Sequence, residues 1–259
     1  MGARSFAGRF DGQACISGDT LLPLNAGRLP SLLVPRPSAW GETPMYIPKT
    51  FEVTDSSTLH EFIETYSFGT LVTVAGEQPI ATRLPLILDR ARGKQGTLLG
   101  HVARANPQWR SFDADRQCLV MFDGPHAYVS PSWYATSPAV PTWNYATVHV
   151  YGSARAIHDA EQLSALVDRL VSIYEAGMPQ PWPGTMPAEF RASMLKAIVG
   201  FAIEIDRIEG KFKMGQNRPI EDRIGTVAQL ENSSDPAARA LAELTRKHLG
   251  LEPASASKG

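Results

Sequence analysis

The sequence predicts a mainly β, α+β fold in which antiparallel strands form a barrel or a sandwich and helices lie at its periphery. Between positions 68 and 157, apolar or alternating segments recur roughly every ten residues, and turn-forming residues separate them. Segments before and after this stretch repeat apolar residues at helical spacing instead. The chain therefore holds one strand-rich body with helices around it.

The first predicted helix follows Asp55, whose carboxylate is a suitable N-terminal cap. It places Leu59, Phe62, Ile63 and Tyr66 on one face. Strands come next, bounded by Gly-rich and Pro-rich turns. Their predicted ranges are residues 68–75, 80–89, 97–102, 118–122, 127–130 and 143–157.

After these strands, a helix capped by Asp159 carries an apolar stripe that begins at Leu163. A second helix is predicted at about residues 187–196, and a strand over residues 198–208 returns to close the barrel. A short amphipathic helix is predicted over residues 235–249.

The N-terminal part of the chain differs from the rest. Residues 1–44 are rich in Gly, Pro, Ser and Arg and lack periodicity, so we expect a mostly disordered extension. We predict a folded domain over residues 45–230, and a C-terminal helix with a flexible tail over residues 231–259.

Charge and cysteine content narrow the possible functions. The formal net charge is −1, so no excess positive potential attracts nucleic acid, and direct DNA binding is doubtful. The longest apolar stretch, residues 197–203, is too short to cross a membrane. Two cysteines without metal or redox spacing fit a reducing cytoplasm. We expect a cytoplasmic protein with no membrane partner and no metal.

Cations interrupt the apolar pattern at two strand positions. Arg83 and Leu84 precede Pro85, and His101 and Arg104 stand before an Asn-Pro turn. The planar fork of an Arg matches phosphate oxygens, so both positions are candidates for an anion site. A solvent-facing Arg on a strand or a turn explains the same pattern.

Aromatic and basic segments supply two further candidates. Five aromatic side chains and four prolines between residues 125 and 145 make a stiff apolar wall that suits a flat ring system. Trp143 and Asn144 lie in it, and a core corner or a subunit interface is the alternative. Lys211 and Gln216 belong to a basic segment after the last strand, which is either a solvated loop or a cover over an anionic or polar ligand.

Several common catalytic motifs are absent from the sequence. No Gly-rich loop precedes a Lys and a Ser or Thr, no two His share a helix face at ligand spacing, and no nucleophile elbow surrounds a Ser. The sequence identifies no catalytic residue.

Five collinear segments together resemble the PaiB family of FMN-binding negative transcriptional regulators: residues 45–48, 100–107, 128–134, 140–145 and 211–218. The resemblance spans about residues 45–230. It implies a split β-barrel of the pyridoxamine-phosphate-oxidase-like superfamily, usually a homodimer with FMN where two subunits meet.

The resemblance also implies a cofactor site. Arg83, Leu84, His101 and Arg104 occupy the places from which adjacent strands hold the flavin phosphate. A second set is assigned to the flavin ring or to the partner subunit's contribution: Trp143, Asn144, Lys211 and Gln216.

Three functions are compatible with these residues. The first is a dimeric FMN-binding regulator that acts indirectly on transcription. The second is an enzyme, either a flavin-dependent oxidoreductase or a haem-degrading or haem-binding protein in which His101, His126 or His149 reaches the iron. The third is a non-catalytic dimeric interaction module.

Overall fold

A computed structural model describes residues 45–112 and 116–251 of the 259-residue chain. The predicted disordered extension, residues 1–44, and most of the predicted flexible tail lie outside the described residues. The strands are β1 (Glu52–Val53), β2 (Phe68–Ala75), β3 (Gln78–Pro85), β4 (Ile87–Asp89), β5 (Thr97–Ala103), β6 (Gln117–Val129), β7 (Thr142–Ile157) and β8 (Ile198–Lys213). The helices are α1 (Ser56–Thr65), α2 (Ala160–Glu175), α3 (Ala188–Lys196), α4 (Ile220–Glu231) and α5 (Pro236–Leu249).

The strands form one antiparallel sheet in the order β3-β2-β6-β7-β8-β5-β4, and β1 pairs with β8. Its two end strands, β3 and β4, follow one another in the chain with only Leu86 between them. The two ends of the sheet therefore meet, and the sheet curves into a barrel. The side chains of Leu84 and Leu86 pack against Gly100 of β5 where the barrel closes. Both lie within 3.1 Å of the position that a Cβ atom on Gly100 would occupy.

Closure of the barrel explains one difference from the sequence prediction. Residues 80–89 were expected as a single strand, and this is wrong because the chain breaks at Leu86. Pro85 is the last residue of β3 to pair with β2, opposite Phe68. Because proline has no N–H to continue a ladder, the chain changes partner here and β4 pairs with β5.

Other boundaries also differ. The two strands predicted over residues 118–130 form a single strand, β6, with an irregular register between Asp123 and His126. Strand β8 continues to Lys213, so the expectation that Lys211 lies in a loop after the last strand is wrong. Helix α4 was not anticipated, whereas α1, α2, α3 and α5 are confirmed to within one residue or two.

The main core fills the barrel and continues beneath α1, α4 and α5. Phe122, Phe201 and Phe212 are almost completely buried in it, and Leu241 joins α5 to the same core. A smaller cluster lies beneath α2, where Leu163, Leu166 and Leu170 contact Ile87, Leu99 and Ala202.

Two further features concern thiol chemistry and metal binding. Cys118 is a buried free thiol, and burial raises its pKa to about 12, so it is an unreactive core residue. Among residues 45–112 and 116–251, no cluster of His, Cys, Asp and Glu could hold a metal ion, and no helix is long and apolar enough to cross a membrane.

Candidate functional site

The two predicted cationic positions meet at one corner of the barrel, here called the cationic corner and defined by Arg83, His101 and Arg104. The Asn106 side chain donates to the Thr82 hydroxyl over 3.0 Å, which joins the turn after β5 to the strand that carries Arg83. Asn106 also accepts from the backbone N–H of Gln108 and so caps a short 3₁₀ helix, Pro107–Ser111.

Gln108 anchors this turn from inside the protein. Its side chain is completely buried, and its Nε2 donates to the carbonyls of Leu71 and Ile80, each at 3.1 Å. Both β2 and β3 are therefore tied to the turn. The Trp109 indole donates to the Arg104 carbonyl over 3.0 Å and holds the turn from its other side.

Two side chains of the cationic corner have hydrogen-bonding groups that no described residue contacts. The exposed Arg83 guanidinium lies 5.0 Å from the centre of the Phe68 ring, and it has no hydrogen bond or ion pair to any described residue. His101 is half-buried, and its Nδ1 is fully buried without a hydrogen-bond partner among the described residues. Burial lowers the pKa of His101, so the imidazole is neutral near pH 7.

Arg104 is engaged differently. Its Nε donates to the Lys196 carbonyl at 2.6 Å and its Nη2 to the Ile198 carbonyl at 2.8 Å. The backbone N–H of Arg104 donates to the Ala197 carbonyl in the same junction. Arg104 thus fixes the end of β5 to the junction of α3 and β8, which leaves Nη1 and one N–H of Nη2 for a ligand.

The aromatic candidates lie at the start of β7. Trp143 is about half exposed (54%) and meets the Tyr128 ring edge-on, with ring centres 6.1 Å apart. The ring of His126 lies 6.2 Å from that of Trp143. Asn144 is buried and pairs with Ala127 of β6. We call Tyr128, His126, Trp143 and Asn144 the aromatic end of the sheet.

The basic candidates beside the aromatic end are tied to the protein. Lys211 Nζ donates to the Tyr46 carbonyl at 2.9 Å and lies 5.5 Å from the centre of the Tyr145 ring. Gln216 accepts from the Met214 N–H at 2.7 Å and donates to the Phe212 carbonyl, which closes the turn after β8. Its amide therefore serves the backbone of its own turn.

A buried carboxylate that sequence reasoning missed holds the loop before the aromatic end. Asp222 of α4 is completely buried and accepts from the Thr136 N–H at 3.0 Å and the Thr136 hydroxyl at 2.6 Å. Arg218 pairs with Asp222 at 2.9 Å and stacks on Tyr134. Burial raises the pKa of Asp222, but the Thr136 bonds and the Arg218 charge outweigh it and hold the pKa below its usual value.

His101 and the aromatic end lie far apart along the sheet of one chain, and Arg83 lies in the row of His149, near the middle of β7. His101 pairs with Gly200 of β8, and Gly200 pairs with Ile157 at the end of β7. Trp143 stands at the opposite end of this 16-residue strand, which spans about 50 Å when extended. The sequence-predicted site residues therefore form two groups rather than one.

Comparison with known proteins identifies the domain. A family described as "Putative FMN-binding domain" matches residues 45–207. The chain belongs to this FMN-binding family. Its predicted cofactor, FMN, is the ligand for which the family is named. Lys211 and Gln216 lie beyond the matched residues, whereas the other six predicted cofactor residues lie within them.

Two relatives align with this chain over nearly their whole length. "Protease synthase and sporulation protein PAI 2" of Bacillus subtilis is 41% identical over 210 residues, which are 79% of this chain and 98% of that protein. An uncharacterized protein of Emericella nidulans is 30% identical over 244 residues, 78% of this chain and 97% of that one. The resemblance to the PaiB family is confirmed.

Two solved structures share the fold. The flavocytochrome Anf3 from Azotobacter vinelandii has a TM-score of 0.51 at 14% identity and covers 64% of this chain and 70% of its own. The FAD and heme binding protein from Mycobacterium smegmatis has a TM-score of 0.50 at 17% identity and covers 67% and 78%. The predicted antiparallel split β-barrel with peripheral helices is confirmed.

The residues present at the cationic corner fit the phosphate of FMN. A buried imidazole nitrogen without a partner costs free energy unless a ligand satisfies it. Arg83 adds a planar set of donors that no described residue uses, and such donors match phosphate oxygens.

Proposed function

We propose that the protein binds FMN between two copies of the chain, with the phosphate at the cationic corner of one copy and the ring against the aromatic end of the other. The observation that carries this proposal is the orphaned His101 Nδ1, together with the unpaired Arg83 guanidinium on the strand that the Asn106–Thr82 bond joins to the turn after β5. Bound FMN supplies redox chemistry that no side chain provides.

Within this site, the three residues of the cationic corner have different tasks. Arg83 donates a charge-assisted hydrogen bond to the phosphate, and neutral His101 donates to it through Nδ1 in the tautomer that carries its proton there. Arg104 acts as a positioning residue, because its bonds to the α3 and β8 junction hold the corner rigid. Leu84 is buried at the barrel closure and supports the strand next to Arg83.

A second copy is part of the proposal because the outer face of the sheet carries an apolar patch between charged residues, Arg83 of β3 on one side and Arg207 and Glu209 of β8 on the other. Val72, Leu119 and Tyr151 form a half-buried row across β2, β6 and β7, and Met121 and His149 form the next. A contiguous apolar sheet face marks an interaction surface. A twofold-related copy that covers this face would bring its aromatic end to the cationic corner of the first.

For the regulatory role that the PaiB resemblance implies, we propose an indirect mechanism. The chain has a formal net charge of −1, which gives no electrostatic basis for attachment to DNA. We expect the purified dimer to show no specific DNA retention in a mobility-shift assay at physiological salt. Sequence-dependent retention would overturn the indirect mechanism.

The phosphate contact is tested by comparing FMN with riboflavin, which lacks the phosphate. The wild-type protein should bind FMN more tightly, and Arg83→Ala should weaken FMN binding by about 10- to 100-fold, because it removes a charge-assisted bond of roughly 1.5–3 kcal/mol. Riboflavin binding should change little. Quenching of flavin fluorescence during a titration measures all four affinities.

Arg116→Ala is the matched control, since Arg116 is an exposed arginine with no partner among the described residues. This substitution also removes one positive charge, and it should leave the affinities for FMN and riboflavin unchanged. If Arg83→Ala weakens FMN binding and riboflavin binding equally, Arg83 does not contact the phosphate. Absence of flavin absorption bands after FMN is added and excess removed would overturn the proposed function itself.

A further inference from the structure

A cleft between α1 and α5 lies outside the predicted cofactor site. It encloses about 470 Å³, which is in the range of small-molecule sites. None of its lining residues belongs to the cationic corner or the aromatic end. Helix α5 also lies beyond residues 45–207, the part of the chain that the FMN-binding family matches.

The floor of this cleft is a continuous row of rings. The ring centres of Tyr66 and Phe62 are 4.6 Å apart, those of Phe62 and Phe212 are 5.0 Å apart, and those of Phe212 and His248 are 5.0 Å apart. Phe62 and Phe212 are almost completely buried beneath this floor, so the half-buried Tyr66 and His248 rings are the ones that can contact a flat apolar group.

Polar groups at the cleft lack partners. In the described part of the chain, the Tyr66 hydroxyl, the His248 ring and the Glu243 carboxylate make no hydrogen bond or ion pair. Burial, and secondly the charge of Glu243, raise the pKa of Tyr66, and burial lowers the pKa of His248. Both groups are therefore neutral near pH 7.

The charges at the rim decide the ligand class. Lys247 of α5 is paired with Glu61 of α1 at 3.3 Å, so its positive charge is already matched. Glu243 remains as an exposed, unmatched carboxylate that lines the same cleft and whose charge helps to raise the pKa of Tyr66. A carboxylate beside an aromatic face attracts an organic cation by charge and by cation–π interaction.

We infer that the cleft between α1 and α5 binds a small arylalkyl amine, with its ring against the half-buried rings of Tyr66 and His248 and its ammonium group at Glu243. The bound amine bridges the first helix and the last, and it stabilises the docking of α5. This site is independent of the FMN site, because neither its residues nor its ligand is shared.

The test uses 2-phenylethylamine as the probe and full-length protein without added flavin. Calorimetric titration should give saturable binding of the amine, and 2-phenylethanol and 3-phenylpropionate, which keep the ring but lose the positive charge, should bind about tenfold more weakly or not at all. Glu243→Gln should weaken amine binding by about tenfold. Glu189→Gln, at an exposed glutamate of α3, should have no effect.

Ala240→Trp locates the bound probe. Ala240 is exposed and lines the cleft, so a tryptophan there fills the cleft without disturbing the core, and it should abolish amine binding. The inference is overturned if the amine shows no saturable binding, if the alcohol binds as tightly, or if the amine binds Ala240→Trp unchanged. FMN affinity plays no part in any of these outcomes, so they are separate from the test of the FMN site.

Discussion

At the scale of single residues, His101 is the residue that distinguishes a ligand site from an ordinary packed corner of the barrel. Its Nδ1 is buried without a partner, so the flavin-free protein bears an uncompensated desolvation cost. His101→Leu should leave the stability of the flavin-free protein unchanged or raise it by up to about 1 kcal/mol, and it should weaken FMN binding about 5- to 10-fold. Urea unfolding and an FMN titration measure the two effects.

His60→Leu provides the contrast. The His60 Nε2 lies 3.0 Å from the Gln95 carbonyl, so this substitution breaks a made bond and should lower stability while FMN affinity stays the same. If His101→Leu behaves like His60→Leu, His101 is a structural residue and the phosphate assignment fails.

Some site residues could be found from the sequence and others could not. Arg83 and His101 are visible because a polar side chain interrupts an apolar strand pattern. Asp222 is not visible, since its partner Thr136 is 86 residues away and only the folded chain brings them together. Gln108 looks like an exposed turn residue, yet it is completely buried.

At the scale of elements, the fit of α4 against the loop before the aromatic end depends on Gly225. A Cβ on Gly225 would lie 2.7 Å from the Trp133 carbonyl oxygen, which is backbone and cannot rotate away. Gly225→Ala should therefore destabilise the protein by about 1–3 kcal/mol, although alanine favours a helix by roughly 1 kcal/mol. Thermal or urea unfolding measures the change.

Gly177→Ala is the control for this effect. A Cβ on Gly177 would meet nothing within 4 Å, so the substitution should be neutral or slightly stabilising. A Gly225→Ala variant as stable as wild type would mean that α4 does not hold the loop closely.

The elements themselves could be predicted where local signals exist. Asp55, Asp159 and Asp235 cap their helices through side-chain hydrogen bonds, and those helices were found. Helices α3 and α4 both follow a proline and lack a side-chain cap, and of these two the sequence predicts only α3. Pro85 is a local signal for the break at Leu86, but the closed barrel decides that the second half pairs with β5, and the local sequence does not predict that partner.

At the scale of the whole molecule, the long strand β7 is the reason that one chain does not complete the proposed site. His101 is connected to one end of β7, Arg83 is in register with His149 near the middle, and the aromatic end forms the other end. The sequence predicted both groups, but the distance between them follows from strand length and pairing. A shared site between two copies reconciles the two groups.

A heterodimer tests this central claim most directly. Arg83→Ala and Trp143→Ala chains with different tags are co-expressed, the mixed dimer is purified, and bound FMN is counted from its absorption. Each single-variant homodimer should bind FMN poorly. In the mixed dimer, one site carries both substitutions and the other carries neither, so the account predicts one tightly bound FMN per dimer. A mixed dimer that binds no FMN tightly would contradict it, because both sites would then lie within single chains.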